Sequence, residues 1–283
     1  MARGFGNIVP LLRASLKTIA LTVLVIAIIP TQSVLLWSPF DRIASRWAQL
    51  WHRAVCLVLG INVELEGQPV GDAHVAYVGN HLSYLDIPVV GSAVWGSFTA
   101  KREMQGWPLF GLLARLQRTV FISRDRRDAV HVVDQLDASL DGGRNLIVFP
   151  EGTSSPGVRV LPFKSSVFSV LERHLPRGLN IQPFTIDLRR VDGRETANPA
   201  DRDVYAYYAD MQLARHLWAF MQGTGAHVRV VFHPLLEVPI GADRKRIAAL
   251  AETRVASGLG DRSRPDACED SVLRATRGPQ ESP

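Results

Sequence analysis

The sequence predicts an α/β domain, a mixed and largely parallel sheet flanked by helices, carried behind an N-terminal membrane-anchoring helical segment. Three observations predict it. Beyond Gly60, short β-branched or aromatic runs alternate with amphipathic segments, the pattern of helices packed on a sheet. Between Thr18 and Phe40 no residue is charged, a length suited to a bilayer. The most distinctive polar residues, His81, Arg124 and Glu151, each come just after a predicted strand, where sheets of this kind gather functional groups. The chain of 283 residues thus divides into an anchor over 1–60, a domain over 61–256 and a polar tail over 257–283 that is expected to be disordered.

Within the anchor, Ile19 to Ile29 is almost purely aliphatic. Arg3, Arg13 and Lys17 precede it, as in a secretory signal peptide, but no small-x-small cleavage pattern follows and the run is long for a signal. An uncleaved anchor is the expectation. Cations also follow the run, at Arg42, Arg46 and Arg53, so the charge asymmetry of a simple span is missing. With Pro30 inside the run and Pro39 near its end, spanning and re-entrant or monotopic arrangements both stand. Trp37, Trp47 and Trp51 are placed like interfacial anchors. The next stretch spaces Ile43, Trp47, Leu50, Trp51, Ala54 and Leu57 on one helical face. That face either packs on the core or lies on a membrane surface.

In the domain, strands are expected at Val75 to Val78, Thr119 to Ile122, Leu146 to Phe149, Ile181 to Ile186 and Val228 to Phe232. Helices are expected at Asp128 to Leu140, stopped by Gly142-Gly143, and at Lys164 to Leu175, Asp210 to Met221 and Asp243 to Ala256. The polar stretch Arg189 to Asp203 reads as a loop. Hydrophobic residues make up 47% of the chain and the net charge is +5. That balance suits an anionic partner such as a membrane surface or a phosphorylated ligand. With the apolar segment upstream, membrane lipids are the expected partners and nucleic acid is not. Cys56 and Cys268 lie far apart, which argues against a disulfide scaffold or a thiolate metal site. No metal is expected.

Three constellations carry chemistry. In Asn80-His81-Leu82-Ser83-Tyr84-Leu85-Asp86 an imidazole and a carboxylate sit five residues apart, a way to build a general base near neutral pH. None of the other seven histidines has Asp at that offset. Alone, His81 is equally explained as a capping histidine at a strand end. In Phe149-Pro150-Glu151-Gly152-Thr153 the amides of Gly152 and Thr153 can face an anion and Glu151 can bind a hydroxyl, although an ordinary turn reads the same way. In Phe121-Ile122-Ser123-Arg124 the guanidinium can hold a phosphate bidentately, or be a solvated charge beside Arg126 and Arg127. Lys101 and Lys164 are further candidates for phosphate contact.

Together and in this order, behind an apolar N-terminus, these blocks resemble those of the glycerolipid acyltransferase family, in particular the lysophosphatidic acid acyltransferases (1-acyl-sn-glycerol-3-phosphate acyltransferases). The resemblance covers about Asn62 to Leu236 and includes Lys101 to Gly111 and the Ile181-Gln182-Pro183-Phe184 strand. It implies a membrane-bound acyltransferase with His81 and Asp86 catalytic, and Arg124, Glu151, Gly152, Thr153 and Lys101 binding substrate. It implies no cofactor, acyl-CoA or acyl carrier protein as donor, and 1-acyl-glycerol-3-phosphate as acceptor, giving phosphatidic acid. The expected place is a bacterial inner membrane, with the catalytic domain on the cytoplasmic side. Two departures bear on the acceptor. Ser165-Ser166 stand where glycine is common after Phe-Lys, and Ser123 where an acidic residue is common. Another lysolipid, such as lyso-ornithine lipid, is therefore the alternative acceptor. A non-catalytic membrane lipid-binding protein is the alternative of a different class. Ser83 is not expected as a nucleophile, because Gly-x-Ser-x-Gly is absent.

Overall fold

The uncharged run forms part of one helix, α1 (Ile8–Leu36), in the computed structural model, which describes residues 8–37, 41–71, 74–122, 129–196 and 198–260. Its 29 residues extend ~43 Å at 1.5 Å per residue. Leu12, Leu16, Ile19, Val23 and Ile26 are each more than half exposed. They form an apolar stripe suited to lipid. Pro30 lies inside α1 without ending it. Nearby hydroxyls take up backbone carbonyls of that turn: Thr31 Oγ1 donates to Ala27 O at 2.7 Å and Ser33 Oγ to Ile29 O at 2.6 Å.

The second helix, α2 (Asp41–Leu59), turns inward a stripe other than the apolar one that its spacing marks. Ala44, Ala48, His52, Val55, Cys56 and Leu59 are buried, while Ile43, Trp47, Leu50 and Leu57 are 37–81% exposed. Small residues let α2 approach its neighbours closely, and the large apolar ones face outward. Of the two readings of that face, the membrane-surface one fits. Trp47 Nε1 donates to Thr31 Oγ1 at 2.9 Å, tying α2 to α1. The anchor is also joined to the domain. Arg13 donates to Gln222 O, and Lys17 to Leu59 O and Gly223 O, at 2.9–3.0 Å. These carbonyls end α2 and α8 (Leu213–Gln222), where helix dipoles favour cations.

The sheet contains β1 (Ile61–Glu66), β2 (Val75–Gly79), β3 (Ser97–Lys101), β4 (Val120–Ile122), β5 (Leu146–Val148), β6 (Asn180–Val191), β7 (Arg194–Glu195) and β8 (Ala226–Phe232). Its order is β1-β8-β6-β2-β5-β3-β4, with β7 paired to β6. The strands from β6 to β4 run parallel, β8 runs antiparallel to β6, and β1 lies parallel to β8. This is the expected mixed, mostly parallel sheet. The central strands alternate between two cores. Val75 and Tyr77 face α1, α2, α8 and α3 (Asp86–Ala93). Ala76 and Val78 face α5 (Ala129–Asp141), α6 (Phe168–His174) and α9 (Arg244–Ser257).

Some elements depart from the sequence reading. Strands β1 and β3 and helices α3 and α4 (Pro108–Leu116) were not expected, because each is short and its apolar pattern depends on what it packs against. Strand β6 runs on to Val191 because β8 pairs with it along that length. Helix α6 starts at Phe168, not Lys164. The expected loop Arg189 to Asp203 contains the end of β6, the short β7 and α7 (Pro199–Arg202).

Candidate active site

Strands β2 and β5 are parallel neighbours, so the segments after them emerge at the same edge of the sheet. That alone brings His81 and Glu151 together. Asn80 extends the strand pairing past Gly79 with its side chain: Nδ2 donates to Ile186 O at 2.9 Å and Ile186 N donates to Oδ1 at 2.7 Å. The chain then loops back on Asp86, the first residue of α3.

Asp86 is fully buried, and its carboxylate is held by four polar groups among the described residues. Its Oδ2 lies 2.8 Å from His81 Nδ1 and accepts from Leu82 N at 2.6 Å and Ser83 N at 2.9 Å, while Oδ1 accepts from Tyr205 Oη at 3.0 Å. The start of α3 adds the favourable field of a helix N-terminus. A carboxylate so held fixes the proton of His81 on Nδ1 and leaves Nε2 as the acceptor. The imidazole stacks on Phe149, with centroids 4.3 Å apart and planes 15° from parallel. Its side chain is 22% exposed, so the ring is not sealed inside the core. Ser83, fully buried, uses Oγ to accept from Leu85 N at 3.3 Å and is not placed to attack.

Glu151 is 2% exposed. Oε2 accepts from His81 N at 3.2 Å and Oε1 from Leu161 N at 2.9 Å. It therefore braces the backbone of the histidine, where a hydroxyl-binding role had been expected. Burial pushes its pKa up to about 8, against the pull of the two backbone donors. The folded state thus holds this proton more tightly than the unfolded chain. Its contribution to stability is full below about 4.5 and is lost as pH rises to about 8. The unfolding temperature in detergent is expected to fall across that window, and Glu151→Gln to flatten the fall. Parallel profiles for the two proteins would show that Glu151 is already ionised throughout. The variant should be less stable at every pH below the window, because one amide oxygen cannot serve both backbone donors.

The Pro-Glu-Gly turn closes over the histidine loop. Ser155 N donates to His81 O at 3.0 Å, Tyr207 N donates to Leu82 O at 2.9 Å, and Ser154 Oγ bonds Tyr207 O. Gly157, at φ +69°, lies so close to Leu82 that a Cβ there would fall 2.5 Å from its Cγ. Arg202, 3% exposed, clamps this loop from behind. Its Nε donates to Pro156 O at 2.5 Å, Nη2 to Gly157 O at 3.1 Å, and Nη1 to Thr196 Oγ1 at 3.2 Å.

Gly152 and Thr153 are exposed at the rim. The Lys164 ammonium lies beside Gly152, where a Cβ would meet Nζ at 2.7 Å. Lys101 ends β3, the parallel neighbour of β5, and so reaches the same edge of the sheet, where it is exposed. Arg124 and Ser123 lie outside the described residues. Among the described residues no group of three His, Cys, Asp or Glu side chains could hold a metal. Tyr205 and Arg202 escaped the sequence reading, since they reach Asp86 and the Pro156-Gly157 turn across 45 or more positions and neither stands in a motif.

Beside the site a cavity of about 440 Å³ runs between α1, α2 and α4, lined by Leu21, Val55, Leu85, Phe98, Phe110 and Leu113 among others. That size and lining suit an apolar ligand. Phe98 stacks on Phe149 at 6.5 Å, so the cavity wall adjoins the wall of the histidine pocket.

With this geometry in view, the comparisons with known proteins agree. The Acyltransferase family profile matches residues 62–187. The chain is 32% identical over 258 residues to a lyso-ornithine lipid O-acyltransferase of Rhizobium meliloti, covering 89% of this chain and 87% of that protein. It is 37% identical to one from Rhodobacter capsulatus, over 74% of this chain and 75% of that protein. It is 29% identical to a 1-acyl-sn-glycerol-3-phosphate acyltransferase of Neisseria meningitidis, over 74% and 79%. The crystal structure of the 1-acyl-sn-glycerophosphate acyltransferase of Thermotoga maritima shares the fold, with a TM-score of 0.62, 20% identity, and coverage of 88% of this chain and 95% of that one. The chain belongs to the glycerolipid acyltransferase family. Within it, the protein is a membrane-associated acyltransferase acting on lysolipids.

Proposed function

We propose that the protein transfers a fatty acyl group from an acyl thioester to the free hydroxyl of lyso-ornithine lipid, with His81 as general base. The observation that supports the chemistry is the imidazole held at Nδ1 by a buried Asp86 in a side chain that is itself 22% exposed. His81 Nε2 takes the proton from the acceptor hydroxyl as its oxygen attacks the thioester carbonyl. The carbon–sulfur bond breaks, and the proton passes from His81 to the leaving thiolate. Asp86 stabilises the imidazolium between those steps. The acyl chain lies in the apolar cavity. Lys164, Lys101, Gly152 and Thr153 flank the acceptor head group, and Arg124 joins them by analogy with the family's arginine block. No cofactor enters this reaction, and acyl-CoA or acyl carrier protein supplies the thioester.

The choice of acceptor is supported by the relatives, which carry the lyso-ornithine name at 32% and 37% identity over most of the chain. The departures at Ser123 and Ser165 point the same way. Arg13 and Lys17 bind the ends of α8 and α2, and Thr18, Leu21, Thr22 and Val25 line the cavity, which favours α1 staying docked on the domain. We read it as lying in one leaflet, on the cytoplasmic side where the thioester donors are made, with the cleft at the lipid surface.

A side-by-side acceptor panel tests this reading. Membranes containing the protein, given one labelled acyl thioester, are expected to acylate lyso-ornithine lipid at least about tenfold faster than 1-acylglycerol-3-phosphate, a difference of about 1.4 kcal/mol in transition-state binding. The reverse order would select phosphatidic acid synthesis. Lipid binding without transfer to either would select the non-catalytic reading.

A further inference from the structure

The cavity beside the site reaches the protein surface. Among the described residues that line it, Thr18 and Thr22 of α1 and Leu109 of α4 are exposed, and the others are buried or half-buried. Helix α4 packs beside α1, so the opening is a slit between these two helices. It is not lined by free polar groups, even at the threonines. Thr18 Oγ1 donates to Ala14 O and Thr22 Oγ1 to Thr18 O, both at 2.8 Å, so each hydroxyl is bonded within its own helix.

Both lips of the slit continue outward in apolar side chains. Ile19 and Ile26 share the helix face of Thr22 and are 61% and 66% exposed. Leu109 is 44% exposed, and Leu112, three residues on, is 39% exposed. Trp107 stands exposed just before α4, a side chain suited to a membrane interface. The α4 lip therefore extends the apolar stripe that α1 offers to lipid. Its other support is the turn Arg102–Gly106, on which α4 sits so closely that a Cβ at Gly111 would fall 2.3 Å from Gln105 O.

We propose that the slit opens sideways into the bilayer and is the exit for the newly transferred chain. The assignment rests on the reading that this cavity holds the acyl chain during transfer. Transfer leaves a lipid with one chain in the membrane and the other in the cavity. Through the slit, the second chain passes from an apolar cavity to hydrocarbon along its whole length. No methylene meets water on the way, an exposure that would oppose release. The acyl donor, which arrives from water, enters at the cleft and not through the slit.

The test uses the full chain in vesicles with one lysolipid acceptor and a labelled acyl thioester. Cys56→Ala and Cys268→Ser remove the two native thiols, and Thr22→Cys with Leu109→Cys places one thiol on each lip. A short bis-methanethiosulfonate then ties the lips reversibly, and single-cysteine proteins treated alike give the effect of the reagent without the tie. The tied protein is expected to form its first equivalent of product at close to the untied rate, then to turn over at least about tenfold more slowly, as when product release limits the rate. Reduction should restore turnover. Steady turnover unchanged by the tie, or a first turnover lost along with it, overturns the proposal while the acyltransferase reading stands. A nitroxide on Leu112→Cys, which needs no tie, should collide more often with oxygen than with a water-soluble nickel chelate, and the reverse order also overturns it. Failure of the wild type to acylate any lysolipid overturns both.

Discussion

Replacing His81 by alanine is expected to lower acyl transfer by about 10³-fold, within the range of positioned base catalysis, while the protein still accumulates and folds. Both halves of that result follow from the site. His81 Nε2 is the ring nitrogen left for substrate once Asp86 holds Nδ1, so its loss removes the base. Yet the side chain bonds only Asp86 among the described residues, and Asp86 keeps Leu82 N, Ser83 N and Tyr205 Oη. The buried carboxylate is not orphaned. Turnover of a labelled thioester, together with thermal unfolding in detergent, checks both parts. Turnover within about threefold of wild type would remove His81 from the mechanism, since even the low end of base catalysis is about a hundredfold.

Replacing Arg202 by methionine is expected to have the opposite profile, a large loss of stability from a residue remote from substrate. Its guanidinium joins Pro156 and Gly157 to Leu188 and Thr196 while 3% exposed. Hydrogen bonds to a charged donor are worth about 1.5–3 kcal/mol each, and the carbonyls left behind add a desolvation cost. A loss of at least about 3 kcal/mol is expected, or roughly 6–12 °C in unfolding temperature for a domain of this size. Activity should fall as well, at temperatures where the protein is still folded, because Ser155 N bonds His81 O and the loop beyond it is no longer clamped. An unfolding temperature within about 2 °C of wild type, less than 1 kcal/mol at this size, would show that the clamp contributes little.

The fold class was legible because its elements announce themselves locally. Val75 to Val78 and Leu146 to Val148 are runs that only a strand buried on both faces explains. Asp243 caps α9 by accepting from Arg246 N at 2.9 Å, a signal written in adjacent residues. The short elements β1, β3, α3 and α4 were not legible, since little in their own sequence outweighs their surroundings. On α2 the helical period was read correctly, while the side its apolar stripe turns to was left open. Spacing identifies an apolar stripe, but a protein at a membrane surface can turn such a stripe towards lipid and pack small residues inward.

The site divides the same way. His81 and Asp86 are five residues apart, so one loop brings them together and the motif suffices to pair them. Glu151 was found by its motif, but its work as a brace on His81 N appeared only once β5 lay beside β2. Tyr205 reaches Asp86 across 119 positions, and no local pattern marks it. From sequence alone came the α/β class, the apolar N-terminal helix, the pairing of His81 with Asp86 and the order of the family's blocks, all properties of neighbouring residues. Tertiary structure alone decided which face of α2 is buried, that α1 builds a cavity wall, and which distant side chains hold Asp86 and the turn in place. Those depend on strand order and helix packing, which join residues that the chain keeps far apart.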